Sequence, residues 1–102
     1  MTDAPELTSR QRKHLRGLAH ALEPVVRLGA TGLTEGAARE IDAALLAHEL
    51  IKVRLNPPEE RKALAAEIAE RTGSTLCGVI GHIAILHRAH PEKPRVSPGP
   101  AR

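Results

Sequence analysis

Two glycines three positions apart enclose a short segment that could bind phosphate. The segment follows a run rich in β-branched residues and precedes a helical pattern, so we expect it at a strand-to-helix turn. Backbone amides and the helix dipole attract anions at such a turn, and glycine lets a phosphate come close to the backbone. A tight turn needs the same glycines, so the spacing alone leaves both interpretations open. The four residues are Gly29, Ala30, Thr31 and Gly32.

Basic side chains are concentrated in two parts of the sequence. The first helical pattern has no acidic residue between positions 9 and 22. Lys52 and Arg54 alternate with apolar residues, which predicts a strand with one basic, solvated face. A solvated helix face also explains such charge, but the lack of compensating acids favours phosphate contacts. The candidate contacts are Arg12, Lys13, Arg16, Arg27, Lys52 and Arg54.

Other reactive residue types do not form a recognisable catalytic set. His82, His87 and His90 lack the cysteine or carboxylate pattern that would complete a metal site. Cys77 lies in an apolar strand pattern, where a small buried thiol is expected. We therefore predict a protein that is not an enzyme and that uses no metal and no cofactor.

The elements that would position these residues follow the order αβαβαββ. A helix between the first two strands implies that those strands are parallel. We predict one α/β domain in which helices pack on a four-stranded mixed sheet. The predicted helices cover 9–22, 34–48 and 56–72, and the predicted strands cover 24–28, 50–55, 75–80 and 83–88.

Local signals mark several boundaries of these elements. Thr8 with Gln11 predicts a capping box, and Thr34 predicts the second N-cap. The sequence Asn-Pro-Pro-Glu at 56–59 predicts the third helix start, and Gly73 predicts a left-handed helix end. Gly81 followed by His82 fits a type II′ hairpin turn.

Helical spacing also predicts which residues face inward. The first helix has an apolar stripe of Leu15, Leu18, Ala19 and Leu22. The second helix presents residues from Ala37 to His48 at the same spacing. The predicted core is aliphatic, because the chain contains no Phe, Trp or Tyr.

Composition limits the remaining choices. The chain has 102 residues, 41% of them hydrophobic, and a net charge of +3, which favours a single small domain. Without aromatic residues it lacks the base-stacking surfaces of many single-strand binding proteins. One cysteine and no long apolar run predict a reducing, cytoplasmic setting. We expect a folded domain at 7–89, a disordered segment at 1–6 and a mobile, proline-rich basic tail at 90–102.

Several segments together resemble the CRM domain, named for chloroplast RNA splicing and ribosome maturation. They are LRGLAH at 15–20, VVRLGATGLTEG at 25–36, HELIKV at 48–53 and VIG at 79–81. The sequence is most similar to the free-standing bacterial YhbY-like members. It departs from the family pattern at His82, where a basic residue is usual, and at His87, where tyrosine is frequent.

The resemblance implies an RNA-binding domain whose GxxG loop is similar to that of KH domains. It also implies a topology similar to the C-terminal domain of translation initiation factor three. Bacterial members are associated with precursors of the large ribosomal subunit, so we expect ribosomal RNA as the partner of a monomeric protein, without a membrane or a small-molecule substrate. The alternative is a protein-interaction module that docks on a ribosomal protein or assembly factor without touching RNA.

Overall fold

The computed structural model describes residues 7–29, 31–55 and 61–99. In these residues the order of elements confirms the predicted αβαβαββ arrangement. The first helix and the first, second and fourth strands end earlier than the sequence patterns predict. The helices are α1 (Ser9–Ala19), α2 (Glu35–His48) and α3 (Arg61–Thr72), and the strands are β1 (Pro24–Arg27), β2 (Leu50–Arg54), β3 (Thr75–Ile80) and β4 (Ile83–His87).

The four strands form the predicted mixed sheet, in the order β1-β2-β4-β3. β1 and β2 are parallel, with α2 as the crossover between them, and β4 is antiparallel to both β2 and β3. β1 and β3 therefore lie at opposite edges, about 14 Å apart at the usual strand spacing. The carboxyl ends of β1 and β2 meet the β3–β4 turn at one end of the sheet, which we call the loop end.

The main core lies between one face of the sheet and the helices α2 and α3. Ile41 and Leu45 of α2 and Ile68 of α3 are fully buried there against β2 and β4, whose contributions include Val53 and Leu86. Burial of each such aliphatic side chain stabilises the fold by about 1.5–3 kcal/mol. This aliphatic core is the one expected from a chain without aromatic residues.

α1 packs on the opposite face of the sheet. Its Leu15 and Ala19 are fully buried against a second cluster that includes Leu50 and Ile85. The expectation that this face of β2 is basic and solvated therefore holds for Arg54, which is exposed, and only in part for Lys52, which is half-buried. The alternation of β2 could not show the cover by α1, because part of the apolar surface that α1 buries, including Ile85, lies on the neighbouring strand β4.

Most of the predicted boundaries of helices and turns are confirmed. Thr8 and Gln11 form the predicted capping box, and the Thr34 hydroxyl accepts the amide of Ala37 at 3.1 Å. Gly73 follows α3 with a φ of 65°, as a left-handed helix end requires. Gly81 has a positive φ of 58°, as the first central position of a type II′ turn requires. The predicted helix start at 56–59 lies outside the described residues.

Three residues predicted to face inward are exposed. Leu18 and Leu22 are 45% and 39% exposed, and His48 at the end of α2 is exposed as well. α1 ends at Ala19, so Leu22 lies beyond the helix, and within α1 only Leu15 and Ala19 of the predicted stripe are buried. Together with Val25, these residues line a groove of about 460 Å³.

The segment 90–99 packs against the domain, which differs from the mobile tail that the composition predicts. The backbone amides of Arg95 and Val96 donate to the carboxylate of Glu49 at 2.7–3.1 Å. Val96 packs beside the second core cluster, and the Gln11 side chain donates to the carbonyl of Gly99. The composition could not reveal this, because hydrogen bonds to one buried carboxylate hold the segment. In the described residues no helix is both long and apolar enough to cross a bilayer.

Candidate nucleic-acid interface

The glycine segment forms a tight turn at the carboxyl end of β1. The amide of Gly32 donates to the carbonyl of Gly29 at 3.0 Å, and Gly32 has a φ of 73°, a conformation that favours glycine. The amide of Leu28 donates to the carbonyl of Arg54 at 2.8 Å, which fixes the turn at the loop end of the sheet. Gly29 and Thr31 are exposed there, whereas Ala30 lies outside the described residues.

The amino end of α2 is already partly neutralised. Glu35 lies in its first turn and forms an ion pair with Arg71 of α3. A carboxylate at this end of the helix dipole competes with an incoming phosphate. The turn and its neighbouring arginines are therefore better placed to bind an anion than the helix end itself.

Arg27 and Arg54 lie side by side next to the turn. They are register partners on the parallel strands β1 and β2, and both are exposed. Residues opposite each other on neighbouring strands share a face, so the two guanidinium groups project to the same side. In the described ranges neither has a carboxylate partner, so both are available to phosphate.

Lys52 ties α1 to the sheet. Its ammonium group donates to the carbonyls of His20 at 3.3 Å and Leu22 at 3.0 Å, just beyond the end of α1. Both acceptors are neutral, so the charge of Lys52 remains part of the surface potential. Its position next to Arg54 along β2 extends the positive surface from the turn toward α1.

The arginines of α1 lie at the other edge of the sheet. Arg16 donates to the carbonyl of Cys77 at 2.7 Å, and its side chain crosses β3 where Gly78 has no Cβ. Arg12 donates to the carbonyl of Leu7 at 2.5 Å, and Lys13 is exposed. The predicted contacts therefore form two groups, one at β1 and β2 beside the turn and one on α1 above β3.

Charge is distributed unevenly between the two sides of the sheet. α1, β1 and β2 contain seven basic residues and no acidic residue: Arg10, Arg12, Lys13, Arg16, Arg27, Lys52 and Arg54. α2 and α3 contain both signs, and Asp42 of α2 pairs with Arg88 at 2.6 Å. Although the exposed Glu23 lies between α1 and β1, this excess of basic residues opposite a mixed surface is the pattern expected for a polyanion contact on the α1 side.

The remaining reactive groups are buried in structural positions. Burial raises the pKa of the Cys77 thiol to about 11, although Arg16 and Arg12 act in the opposite direction. The thiol is therefore protonated at neutral pH and is a poor nucleophile. In the described residues, no three His, Cys, Asp or Glu side chains lie close enough together to hold a metal ion.

Two features of the structure have no counterpart among the sequence patterns. Glu49 is fully buried at the end of α2 with a φ of 65°, and its carboxylate binds the segment 90–99. Ile80 is 61% exposed at the end of β3, next to the β3–β4 turn. No local pattern distinguishes Glu49 from a solvated helix end, whereas the exposure of Ile80 could be anticipated only from the order of the strands.

The family model of the CRS1/YhbY (CRM) domain matches residues 7–88. The chain belongs to this family. An RNA-binding protein of Haemophilus influenzae is 43% identical over 88 residues, covering 84% of this chain and 89% of the relative. The probable RNA-binding protein YqeI of Bacillus subtilis is 32% identical over 92 residues, covering 88% of this chain and 96% of the relative.

The fold of this CRM chain is also similar to a solved structure. The solution structure of a Staphylococcus aureus protein, proposed to bind RNA, matches with a TM-score of 0.78 and 36% identity. The match covers 85% of this chain and 93% of that protein. The family expected from the sequence motifs is thereby confirmed.

Proposed function

We propose that this protein binds structured RNA in the cytoplasm, and that its target is ribosomal RNA in precursors of the large ribosomal subunit, whose assembly it assists. The observation that carries the proposal is the exposed pair Arg27 and Arg54 beside the Gly29–Gly32 turn. The names of the relatives, which describe RNA-binding proteins, support the general part of the proposal. The resemblance to the bacterial YhbY-like proteins supports the ribosomal part.

In the proposed mechanism the turn lets one phosphate approach the backbone, and the two arginines bind its neighbours. Phosphate contacts of this kind fix the position of the RNA without reading its sequence. Recognition then depends on the shape of the folded RNA. Lys52 and the second basic group, formed by Arg12, Lys13 and Arg16 on α1, extend the contact across the α1 side of the sheet.

We propose a binding protein and not an enzyme. The α1 side offers backbone amides and fixed positive charge. These groups position a polyanion but neither transfer a proton nor form a covalent bond. The thiol of Cys77 is protonated and covered, so it has no part in the interface.

Salt dependence of RNA affinity tests the interface directly. Each phosphate contact releases counterions, so about four to six contacts predict a log-log slope of roughly −3 to −5. The double variant Arg27→Ala/Arg54→Ala should reduce the size of that slope by about 1.4–1.8. The matched control Arg39→Ala/Lys62→Ala removes the same charge from exposed positions on α2 and α3 and should leave the slope unchanged.

A second variant tests the turn separately from the arginines. Thr31→Asp places a carboxylate at an exposed position beside the expected phosphate and should weaken RNA binding while thermal melting stays unchanged. A folded variant with unchanged affinity would show that the glycines serve only the turn.

The ribosomal target is tested by sedimentation of cell extract. The protein should migrate with immature large-subunit particles, and Thr31→Asp should move it toward the top of the gradient. Migration with small subunits alone would exclude the proposed target. The protein-docking alternative would be favoured by two results together. The log-log slope of RNA affinity against salt would be near zero, and the protein would still bind particles whose accessible RNA has been removed.

A further inference from the structure

One row of residues crosses all four strands on the α1 side at the loop end of the sheet. Arg27 is opposite Arg54, Arg54 is opposite Ile83, and Ile83 is opposite Ile80. Residues that are register partners share a face. The row therefore reads, from β1 to β3, as two arginines followed by two isoleucines.

α1 covers the next row but not this one. In the next row Ile85 is fully buried, Lys52 holds the end of α1, and Gly78 is covered by the side chain of Arg16. At the loop end Ile83 is half-buried and Ile80 is 61% exposed. Most of the Ile80 side chain therefore lies outside the core. An apolar side chain exposed on an edge strand is typical of a surface that contacts a partner.

The charges around the two isoleucines indicate what that partner is. Arg54 lies about 5 Å from Ile83 on the neighbouring strand, and Arg16 crosses β3, the strand of Ile80, one row further on. An apolar protein segment that docked here would have to approach several unneutralised cations. A nucleotide brings both an apolar base face and a phosphate, so it matches both halves of the row.

We propose that Ile80 and Ile83 form an aliphatic platform for an unpaired base of the RNA, whose adjacent phosphates are bound by Arg54 and Arg27. This inference rests on the proposed function and defines its substrate class as RNA with an unpaired nucleotide in or beside a helix. A continuous duplex hides the faces of its bases in the stack, so it reaches the arginines but not the platform. The aliphatic pair takes the place of the aromatic surface that this chain lacks.

Two RNAs of equal length and charge test the platform. One is a continuous duplex, and the other carries a short unpaired bulge. Ile80→Ala should weaken binding to the bulged RNA about five- to tenfold, the loss expected for removing buried aliphatic contact. It should leave duplex binding and the salt slope unchanged, because no charge is removed. The control Leu46→Ala removes a side chain that is 46% exposed on α2 and should affect neither RNA.

A fluorescent base gives a readout that does not depend on affinity. With 2-aminopurine at the bulge, binding of the unaltered protein should change the fluorescence, and Ile80→Ala at saturating concentration should abolish that change. An equal effect of Ile80→Ala on both RNAs, or no effect on either, would overturn the platform while leaving RNA binding intact. If Ile80→Ala lost binding to a protein partner while its RNA binding stayed unchanged, the platform would be overturned in favour of protein docking. Absence of salt-dependent RNA binding by the unaltered protein would instead refute the proposed function, and the platform with it.

Discussion

The anchoring of the segment 90–99 by Glu49 leads to a quantitative prediction for Glu49→Gln. The carboxylate accepts the amide of Arg95 through both oxygens, at 3.0 and 2.7 Å, and the amide of Val96 at 3.1 Å. Glutamine has nearly the same volume and keeps one acceptor oxygen. It replaces the other oxygen with an NH₂ group, which faces an amide donor.

The expected loss follows from the difference between charged and neutral hydrogen bonds. A hydrogen bond to a charged group contributes about 1.5–3 kcal/mol, and a neutral one about 0.5–1.5 kcal/mol. Two amides each lose about 1–1.5 kcal/mol, so the free energy of unfolding should fall by about 2–3 kcal/mol. For a domain of this size the melting temperature should fall by roughly 10–20 °C. The ion pair with Arg95 adds little, since that side chain is 68% exposed.

A double-mutant cycle with a chain that ends at Ala89 isolates the anchor. In the shortened chain the amides are gone and the carboxylate meets water, so Glu49→Gln should cost less than about 0.5 kcal/mol. Urea unfolding of the four proteins gives the coupling energy. An equal cost of Glu49→Gln in both chains would refute the reasoning and assign the role of Glu49 to the end of α2 alone.

The same contacts determine a pH dependence. Burial acts to raise the pKa of Glu49, but the amides of Val96, Arg95 and His90 and the charge of Arg95 lower it overall, below the ordinary 4.5. The folded state therefore binds the proton less readily than the unfolded state. The stabilisation is complete above pH 4.5 and is lost as the pH falls through the folded pKa. Glu49→Gln should lack this part of the acid transition.

Four further predictions concern His87, Gly78, Gly36 and Cys77. Burial lowers the pKa of His87 below 6.5 and outweighs the opposing effect of Glu49. The free energy of unfolding should therefore fall as the pH drops below that value. His87→Leu should flatten this part of the dependence of stability on pH. A Cβ at Gly78 would lie 2.7 Å from the Cδ of Arg16, so Gly78→Ala should lower the free energy of unfolding in urea by about 1–3 kcal/mol. The loss should be smaller in an Arg16→Ala background. A Cβ at Gly36 in α2 meets open space, so Gly36→Ala should raise the free energy of unfolding by about 0.5–1 kcal/mol. Cys77 should react with a maleimide at mildly alkaline pH only at the rate of unfolding, and rapid labelling of the native protein would contradict its burial.

The features that could be predicted from the sequence depend on residues that lie close together along the chain. The capping box of Thr8 and Gln11, the N-cap Thr34 and the end of α3 at Gly73 were predictable, because each depends on hydrogen bonds or backbone angles within a few residues. The exposure of Leu18 and Leu22 was not predictable, because periodicity shows that a helix has an apolar stripe but not how much of that stripe the sheet covers.

The candidate interface shows the same division. The Gly29–Gly32 turn could be located from its neighbours along the chain, and so could the basic character of α1. The pairing of Arg27 with Arg54 required knowledge of which strands are neighbours and in which register. The separation of Arg16 from the turn required the position of α1, which no residue within α1 specifies.

The sequence by itself determined the order of the elements, the parallel pairing of β1 with β2, the glycine turn and the excess of positive charge. Only the tertiary structure decided which side of the sheet carries that charge, that Glu49 holds the segment 90–99, and that the exposed Ile80 lies in one row with Ile83, Arg54 and Arg27. The physical reason is the range of the interactions involved. Caps, turns and periodicity depend on interactions among residues a few positions apart, so consecutive residues reveal them. The row of side chains across the four strands joins residues between positions 27 and 83 that are far apart along the chain, so only the order and register of the strands bring them together.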